Sequence, residues 1–431
     1  MLTHLALSGF KCFEETGDIP LAPLTLIFGK NNSGKSTILQ SLLLLKQTVE
    51  TPEYGPRLNT KGSLYSAGSF VDLVHGHSTS RSSSFSFALT LTSGVTTTFE
   101  FVRDTELGIP RLTSLVIQPR QGDQIAVKRS RGQGGPYELV IGGRHVGLED
   151  EANFSFVRNR FFPLIGEEPR KVGAPNQRQS RARKQAAETL VEIQHLLETM
   201  RAVGAFRKAP DRRYEYEGRV PEGTDPAGES VAQVLIADDR RRGRKRGEIL
   251  HLINRWLREI GRVSVEVKSV AEEVRLYEVR ARDTRSRQWA NLADVGFGVG
   301  QALPVLVEGV RTPLSSMYLV QEPEIHLHTD AQLAMADFLV DLSRKRRQVI
   351  VETHSEAMLL RVRRRIAEGR LKPKEVSFVV VEKNGKTASQ VRLLQADRLG
   401  QIEDWPAGFL GDASEERLDL LTKMAEANTA R

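Results

Sequence analysis

A chain of 431 residues that is 39% hydrophobic can bury a large core in two or three lobes, and its single cysteine, Cys12, rules out an internal disulfide framework and a cysteine-based zinc site. No apolar run approaches the roughly 20 residues that a membrane span needs, and the opening MLTHLALSGFKCF lacks the pattern of a secretory signal, so a reduced, cytoplasmic protein without membrane contact is expected. The net charge of +8, with arginine in large excess over lysine, fits nucleic acid as a partner and equally fits solvated arginine faces.

Residues 2–8 and 24–28 read as strands on either side of the loop FKCFEETGDIPLAP. The second strand opens the stretch LTLIFGKNNSGKSTILQSLLLL, residues 24–45, which reads as strand, phosphate-binding loop and helix. Gly29, four residues, then Gly34, Lys35 and Ser36 is the full P-loop spacing. The two glycines allow backbone angles closed to other residues, so that successive N–H groups turn inward around phosphate oxygens. A helix starting here aims its unpaired N–H groups at the same anion. Gly29, Lys30, Asn31, Asn32, Ser33, Gly34, Lys35, Ser36 and Thr37 are therefore the expected ATP-binding residues, with Lys35 on the outer phosphates and the Ser36 hydroxyl on magnesium. Ile38, Leu39, Leu42 and Leu43 follow at helical spacing.

An irregular connection is expected over 53–77. From 83 the period changes to two: Phe85, Phe87, Leu89 and Leu91 alternate with small residues, Ser93-Gly94 turns the chain, and Thr97, Phe99 and Phe101 continue. Further strands are expected at 112–118, 124–129 and 137–142, giving an antiparallel layer. Residues 166–185 carry positive charge without apolar periodicity and are expected as an exposed loop. A helix follows with Leu190, Ile193, Leu197 and Met200 on one face, then a Pro- and Gly-rich loop over 204–230. The basic run Arg240 to Arg246 precedes a helix with Ile249, Ile253, Trp256 and Ile260 aligned. Each helix is expected to be about 15 residues, or about 20 Å. Strands at 263–268 and 274–280 lead to a βα alternation: strand 317–320, helix 330–343, strand 348–352, helix 355–368, strand 376–381. The expected domains are 1–80 and 285–390 as two halves of a nucleotide-binding core, 81–150 as the β subdomain, 151–284 as a helical and basic-loop insertion, and 391–431 as a tail.

Three later motifs complete a site. In VQEPEIHLH, residues 320–328, a buried strand ends where P-loop enzymes place acids, one for magnesium and the next to polarise the attacking water. Glu322 suits the second task. Gln321 stands at the first position and can only reach the metal through a bound water. His326 and His328 form a single His-x-His, better suited to packing or an interface than to a metal. In VETHSEAML, residues 351–359, His354 falls at the carboxyl edge of a strand, within reach of a terminal phosphate. In DVGFGVGQ, Gly296, Gly298 and Gly300 precede a helix. Gln301 breaks any dinucleotide fingerprint, which leaves a second anion-binding helix N-terminus.

These motifs, in this order, resemble the ABC-type ATPases of the SMC, RecF and OLD (overcoming lysogenization defect) group. FKCF followed by GKNNSGKST resembles that group's opening, VGFGVGQ its signature, QEPEIHLH its Walker B and D-loop, and THS its switch histidine. The closer resemblance, supported by GAFRKAPDRRYEYEG and the tail DWPAGFL, is to small bacterial ATPases of anti-phage defence loci that lack a coiled coil. The resemblance implies an α/β fold: an ABC-type P-loop ATPase core with an antiparallel β layer and an inserted helical lobe. It also implies a homodimer or higher oligomer in which two subunits sandwich two ATP molecules. Lys35, Glu322 and His354 would be the catalytic residues, Ser36 would ligand Mg2+, and Gly296, Gly298, Val299, Gly300 and Gln301 would form the signature reaching the γ-phosphate in trans. Gln321 departs from the usual acid of the group. The Asp-x-Asp motif of the OLD nuclease domain is missing, so no intrinsic nuclease is expected. The expected function is a nucleotide-dependent switch that senses infection and controls a separate nuclease or toxin. A DNA-repair or DNA-organising clamp gripping duplex through the arginine-rich loops, and an ATP-gated scaffold with little turnover, remain alternatives.

Overall fold

A computed structural model of the chain describes residues 1–51, 56–80, 82–130, 135–149, 152–156, 160–166, 177–220, 223–383, 385 and 388–405. The apolar runs Leu24–Phe28, Met317–Gln321, Gln348–Glu352 and Val376–Glu382 are buried almost throughout, as strands covered on both faces must be. They lie side by side and parallel, with Leu24–Phe28 between Gln348–Glu352 and Val376–Glu382, and Met317–Gln321 beyond Gln348–Glu352. Arg201–Val203 extends one edge in parallel and Gln390–Leu394 closes the other antiparallel. Arg201–Val203 lies inside the segment expected as an insertion, so the sheet draws a strand from mid-chain.

Alternate residues of these strands feed two different cores. Ile27, Leu319, Ile350 and Val379 face the helix Lys35–Glu50 and an antiparallel sheet. Leu26, Val320, Val351 and Val380 face the helices Phe297–Arg311, Thr329–Arg344 and Glu356–Ala367. The helix Lys35–Glu50 is buried nearly all round, including four consecutive leucines, Leu42 to Leu45. A helix with no wet face must be enclosed on every side. Here it is held between sheets and against the helix Gln177–Thr199. Lys46, also on it, is fully buried; its ammonium donates to the carbonyls of Leu197 and Glu198 at 3.0 Å each and pairs with Glu50 at 2.7 Å. A lysine at the last carbonyls of a helix satisfies both its hydrogen bonds and its dipole.

The antiparallel layer is a nine-stranded sheet running from Arg144–Leu148 through Tyr137–Ile141, Ile125–Arg129, Pro110–Gln118, Thr96–Arg103 and Ser84–Leu91 to Leu2–Phe10 and Phe13–Glu15, with Ile19–Pro20 alongside. Its inward face carries Phe10, Phe85, Phe87 and Phe101, with ring centroids 4.8 to 5.8 Å apart. Leu2–Phe10 belongs to this sheet, not to the parallel one. The Gln348 side chain joins the two sheets, accepting from the Leu2 amide at 3.1 Å and donating to the Leu2 carbonyl at 2.7 Å.

Residues 177–185, expected within a loop, are helical. Gln177–Thr199 has 23 residues, hence about 34 Å of length rather than the anticipated 20 Å. The basic stretch hides a buried stripe of Ala182, Arg183 and Ala186, and Arg183 donates to the carbonyls of Ala152 and Gly166. Residues 167–176 of the same expected loop lie outside the described residues. In the helix Glu248–Gly261 the buried face is Leu250, Ile253, Leu257 and Ile260, with Ile249 and Trp256 half-buried at its margins. Of the tail, Trp405 stacks on Phe28 at 5.4 Å; residues 406–431, including most of DWPAGFL, lie outside the described residues. Among the described residues no helix is long and apolar enough to cross a membrane.

Candidate nucleotide site

The parallel strands end on a common edge, and the predicted site residues gather there. The turn after Leu24–Phe28 has Gly29 at φ 148° and Gly34 at φ 107°. A Cβ at Gly29 would collide with the Val381 carbonyl oxygen, and one at Gly34 with the Cys12 sulfur. Both glycines are thus required by backbone angle and by space. Lys30, Asn31 and Asn32 are exposed at the tip, whereas Ser33 is buried with no partner for its hydroxyl among the described residues. The helix begins at Lys35 without a side-chain cap, so its first N–H groups face the loop. The Lys35 ammonium donates to the Lys30 carbonyl at 2.8 Å. Burial pulls it below its ordinary value, opposed by the charges of Glu352, Glu322 and Glu324. An open donor-lined turn with an orphaned buried hydroxyl and a charged amine fits a polyphosphate.

Beside the loop, Ser36 Oγ donates to Glu352 Oε1 at 2.5 Å, and Gln321 Nε2 donates to Glu352 Oε2 at 2.7 Å. The Gln321 side chain is therefore used as a donor, where the sequence reading had its amide oxygen accepting from a metal-bound water. Burial pushes the Glu352 carboxyl up, while these two hydrogen bonds and Lys35 hold it down. A hydroxyl, an amide and a carboxylate meeting next to a phosphate cradle fit Mg2+, a hard cation that takes oxygen ligands from protein and phosphates together. Among the described residues no cluster of three or more His, Cys, Asp or Glu gathers elsewhere as a metal site.

Glu322 takes a left-handed backbone, φ 44°, which is costly for a glutamate and is held from two sides. Its N–H donates to the Glu352 carbonyl at 2.7 Å and its own carbonyl accepts from Arg207 at 2.8 Å. The carboxylate stands 3.9 Å from His354 Nε2. Burial and the charge of Lys35 lower the His354 pKa, with Glu322 acting in the opposite sense. Glu324 is buried and structural: it accepts from the Thr353 hydroxyl at 2.8 Å and the His354 amide at 2.5 Å. It ties the turn after Met317–Gln321 to the end of the strand Gln348–Glu352.

The signature residues are not part of this cluster. The helix starts at Phe297, so Gly298 and Gly300 lie within its first turn and not, as expected, before it. Their smallness serves close packing: a Cβ on Gly298 would come within 2.8 Å of the His326 carbonyl, and one on Gly300 within 3.0 Å of Pro210. Gly296 and Phe297 are exposed, whereas Val299, Gly300 and Gln301 turn inward.

Comparison with known proteins then bears on the whole arrangement. Residues 24–360, from the P-loop strand through the switch histidine, match the family AAA_21, described as "AAA domain, putative AbiEii toxin, Type IV TA system". The chain belongs to this family. No curated protein matches it in sequence. Among solved structures, this AAA_21 chain is similar to an SmcHead bound to the C-winged helix domain of ScpA, at 13% identity over 92% of this chain and 98% of that one, TM-score 0.45. It is also similar to the SMC head domain from Thermotoga maritima, at 14% identity over 91% and 98%, TM-score 0.40. A third is the Smc head domain with an extended coiled coil bound to the C-terminal domain of ScpA derived from Pyrococcus furiosus, at 13% identity over 98% and 99%, TM-score 0.44.

Two residues of the AAA_21 site escaped the sequence reading. Glu352 had a signal: it is the charged end of the otherwise apolar run VIVE and the second residue of the motif VETHSEAML. Arg207 had none. It sits in a loop rich in charge, yet it is buried and donates to the carbonyls of Gly204, Gln301, Gln321 and Glu322. The Gln301 amide donates back to the Arg207 carbonyl at 3.3 Å. Arg207 thereby connects the signature helix to the Walker B turn.

Proposed function

We propose that this AAA_21 chain binds ATP with Mg2+ and hydrolyses it, and that two copies close on two nucleotides as an ABC-type switch governing a separate effector. The observation that carries the reading is Glu322, fixed in a strained conformation 3.9 Å from His354 at the carboxyl edge of the sheet, next to the P-loop. In this reading Glu322 takes the proton of the attacking water, His354 orients toward the γ-phosphate, and Lys35 with the loop N–H groups holds the phosphates against their growing charge. Mg2+, when bound, neutralises phosphate charge, and Ser36 and the Glu352–Gln321 pair are the groups that would hold it. The exposed start of the helix Phe297–Arg311, at Gly296 and Phe297, supports a role facing a second copy. The family's description, which names a toxin of a toxin–antitoxin system, supports a defence setting in which the sensor acts on a nuclease or toxin. A DNA-clamp reading draws on the basic run Arg240 to Arg246, all exposed. Salt-dependent retention of duplex DNA would favour it.

The test is the mass of the protein with and without ATP and Mg2+, measured together with phosphate release, for wild type and Glu322→Gln. Wild type is expected to release phosphate, and Glu322→Gln to lose at least about a hundredfold of that rate, in the range seen when a key transition-state group is removed, while accumulating as an ATP-dependent dimer or larger. A mass indifferent to ATP with no release from either protein would leave a scaffold reading only.

A further inference from the structure

Gln321 leaves the position expected to face magnesium one negative charge short, and the neighbouring strand brings a carboxylate to the same place. Gln348–Glu352 runs between the P-loop strand and Met317–Gln321, so Glu352 is in register with Gln321 on one side and with Ile27 on the other. It is 2% exposed. Its two oxygens are bonded to the Ser36 hydroxyl and the Gln321 amide, both neutral groups. The nearest cation, Lys35, directs its ammonium to the Lys30 carbonyl. Burial without a bonded cation disfavours the ionised form of a carboxyl, a cost that a structural brace for Ser36 would not require, since a glutamine could serve there.

We propose that Glu352 is a magnesium ligand of the nucleotide site, supplying together with Ser36 the coordination and charge that Gln321 does not. This rests on the Mg·ATP reading above. Ser36 Oγ and Glu352 Oε1 are hydrogen-bonded to each other beside the loop, so both oxygens are at hand for one hard cation that takes oxygen ligands. Gln321 then acts as the donor that aims Glu352, a task its amide performs and an aspartate or glutamate at that position would oppose by like charge.

The experiment titrates binding of a fluorescent ATP analogue with Mg2+, and reads Mn2+ in the nucleotide complex by electron paramagnetic resonance, for three proteins: wild type, Glu352→Gln, and the exchanged pair Gln321→Glu/Glu352→Gln. In Glu352→Gln the Mg2+ concentration for half-maximal binding is expected to rise at least about tenfold, with weaker Mn2+ binding to match. The exchanged pair, which returns one carboxylate to the same corner, is expected to recover the wild-type requirement. A smaller shift in Glu352→Gln, or a loss that the exchanged pair shares, overturns the proposal. If Glu352→Gln does not fold, the exchanged pair decides by itself: a wild-type Mg2+ requirement supports the proposal and a raised one overturns it. Absence of analogue binding in the wild type would overturn the nucleotide reading itself and this one with it, so the two failures appear in different proteins.

Discussion

A guanidinium that donates to four backbone carbonyls in separate parts of the chain holds more of this site together than any of the residues that would meet ATP. Arg207 fixes the carbonyls of Gln321 and Glu322 and reaches Gln301 in the signature helix. Its planar fork is the reason it can do so, and lysine, with a single compact head, cannot reproduce it. Arg207→Met leaves those carbonyls buried and unmet, and is expected to cost about 3 kcal/mol or more, read as a lower urea midpoint. Arg207→Lys is expected to retain only part of the loss, and an unchanged midpoint in both variants would mean that water replaces the fork. At this scale the P-loop was readable because its chemistry lies in consecutive residues. The roles of Glu352 and Arg207 were not, because each is set by a residue more than a hundred positions away, Ser36 for Glu352 and Gln321 for Arg207, and no periodicity marks such a contact.

Among the elements, the helices Thr329–Arg344 and Glu356–Ala367 are locked by Asp337. It accepts from Arg365 at 2.5 and 2.6 Å and from Arg361 at 2.7 and 3.0 Å. Burial pushes the Asp337 carboxyl up, but the hydrogen bonds and charges of the two arginines outweigh it and hold the group below its ordinary 3.8. A carboxyl whose folded pKa is depressed contributes stability that is fully present above its unfolded value and is lost as pH falls through the folded one. Asp337→Asn is therefore expected to lower stability by about 2 kcal/mol at pH 7. In urea unfolding the gap between variant and wild type should persist at pH 5 and narrow only below 3.8. A gap that vanished by pH 5 would exclude the carboxylate as its source. The βα alternation that carries these helices was legible almost to the residue, since parallel strands buried on both faces read as unbroken apolar runs. The helix Gln177–Thr199 was read too short because its first turns bury alanines and an arginine, which present no apolar stripe. Arg201–Val203, three residues long, is below the length at which any pattern can be recognised.

For the whole molecule, the placement of Leu24–Phe28 in the middle of the parallel sheet has a consequence for synthesis. This strand leaves the ribosome more than 300 residues before either of its hydrogen-bonded neighbours, Gln348–Glu352 and Val376–Glu382. Until they emerge, the P-loop has no sheet to project from, and Ser36 has no Glu352. Contacts of such sequence separation form late, because a loop of hundreds of residues must close before they return anything. On the nucleotide reading, the nascent chain is expected to bind ATP only after both neighbouring strands have emerged. Ribosome-stalled chains ending before residue 348 should fail to retain an ATP analogue, whereas chains stalled with residue 382 clear of the exit tunnel should hold it. Retention by the shorter chains would mean that the loop is organised without its sheet. On the proposed pairing, a copy cut short before residue 348 would lack the sheet that carries its loop, so closure on nucleotide would select for subunits that have both halves of the core.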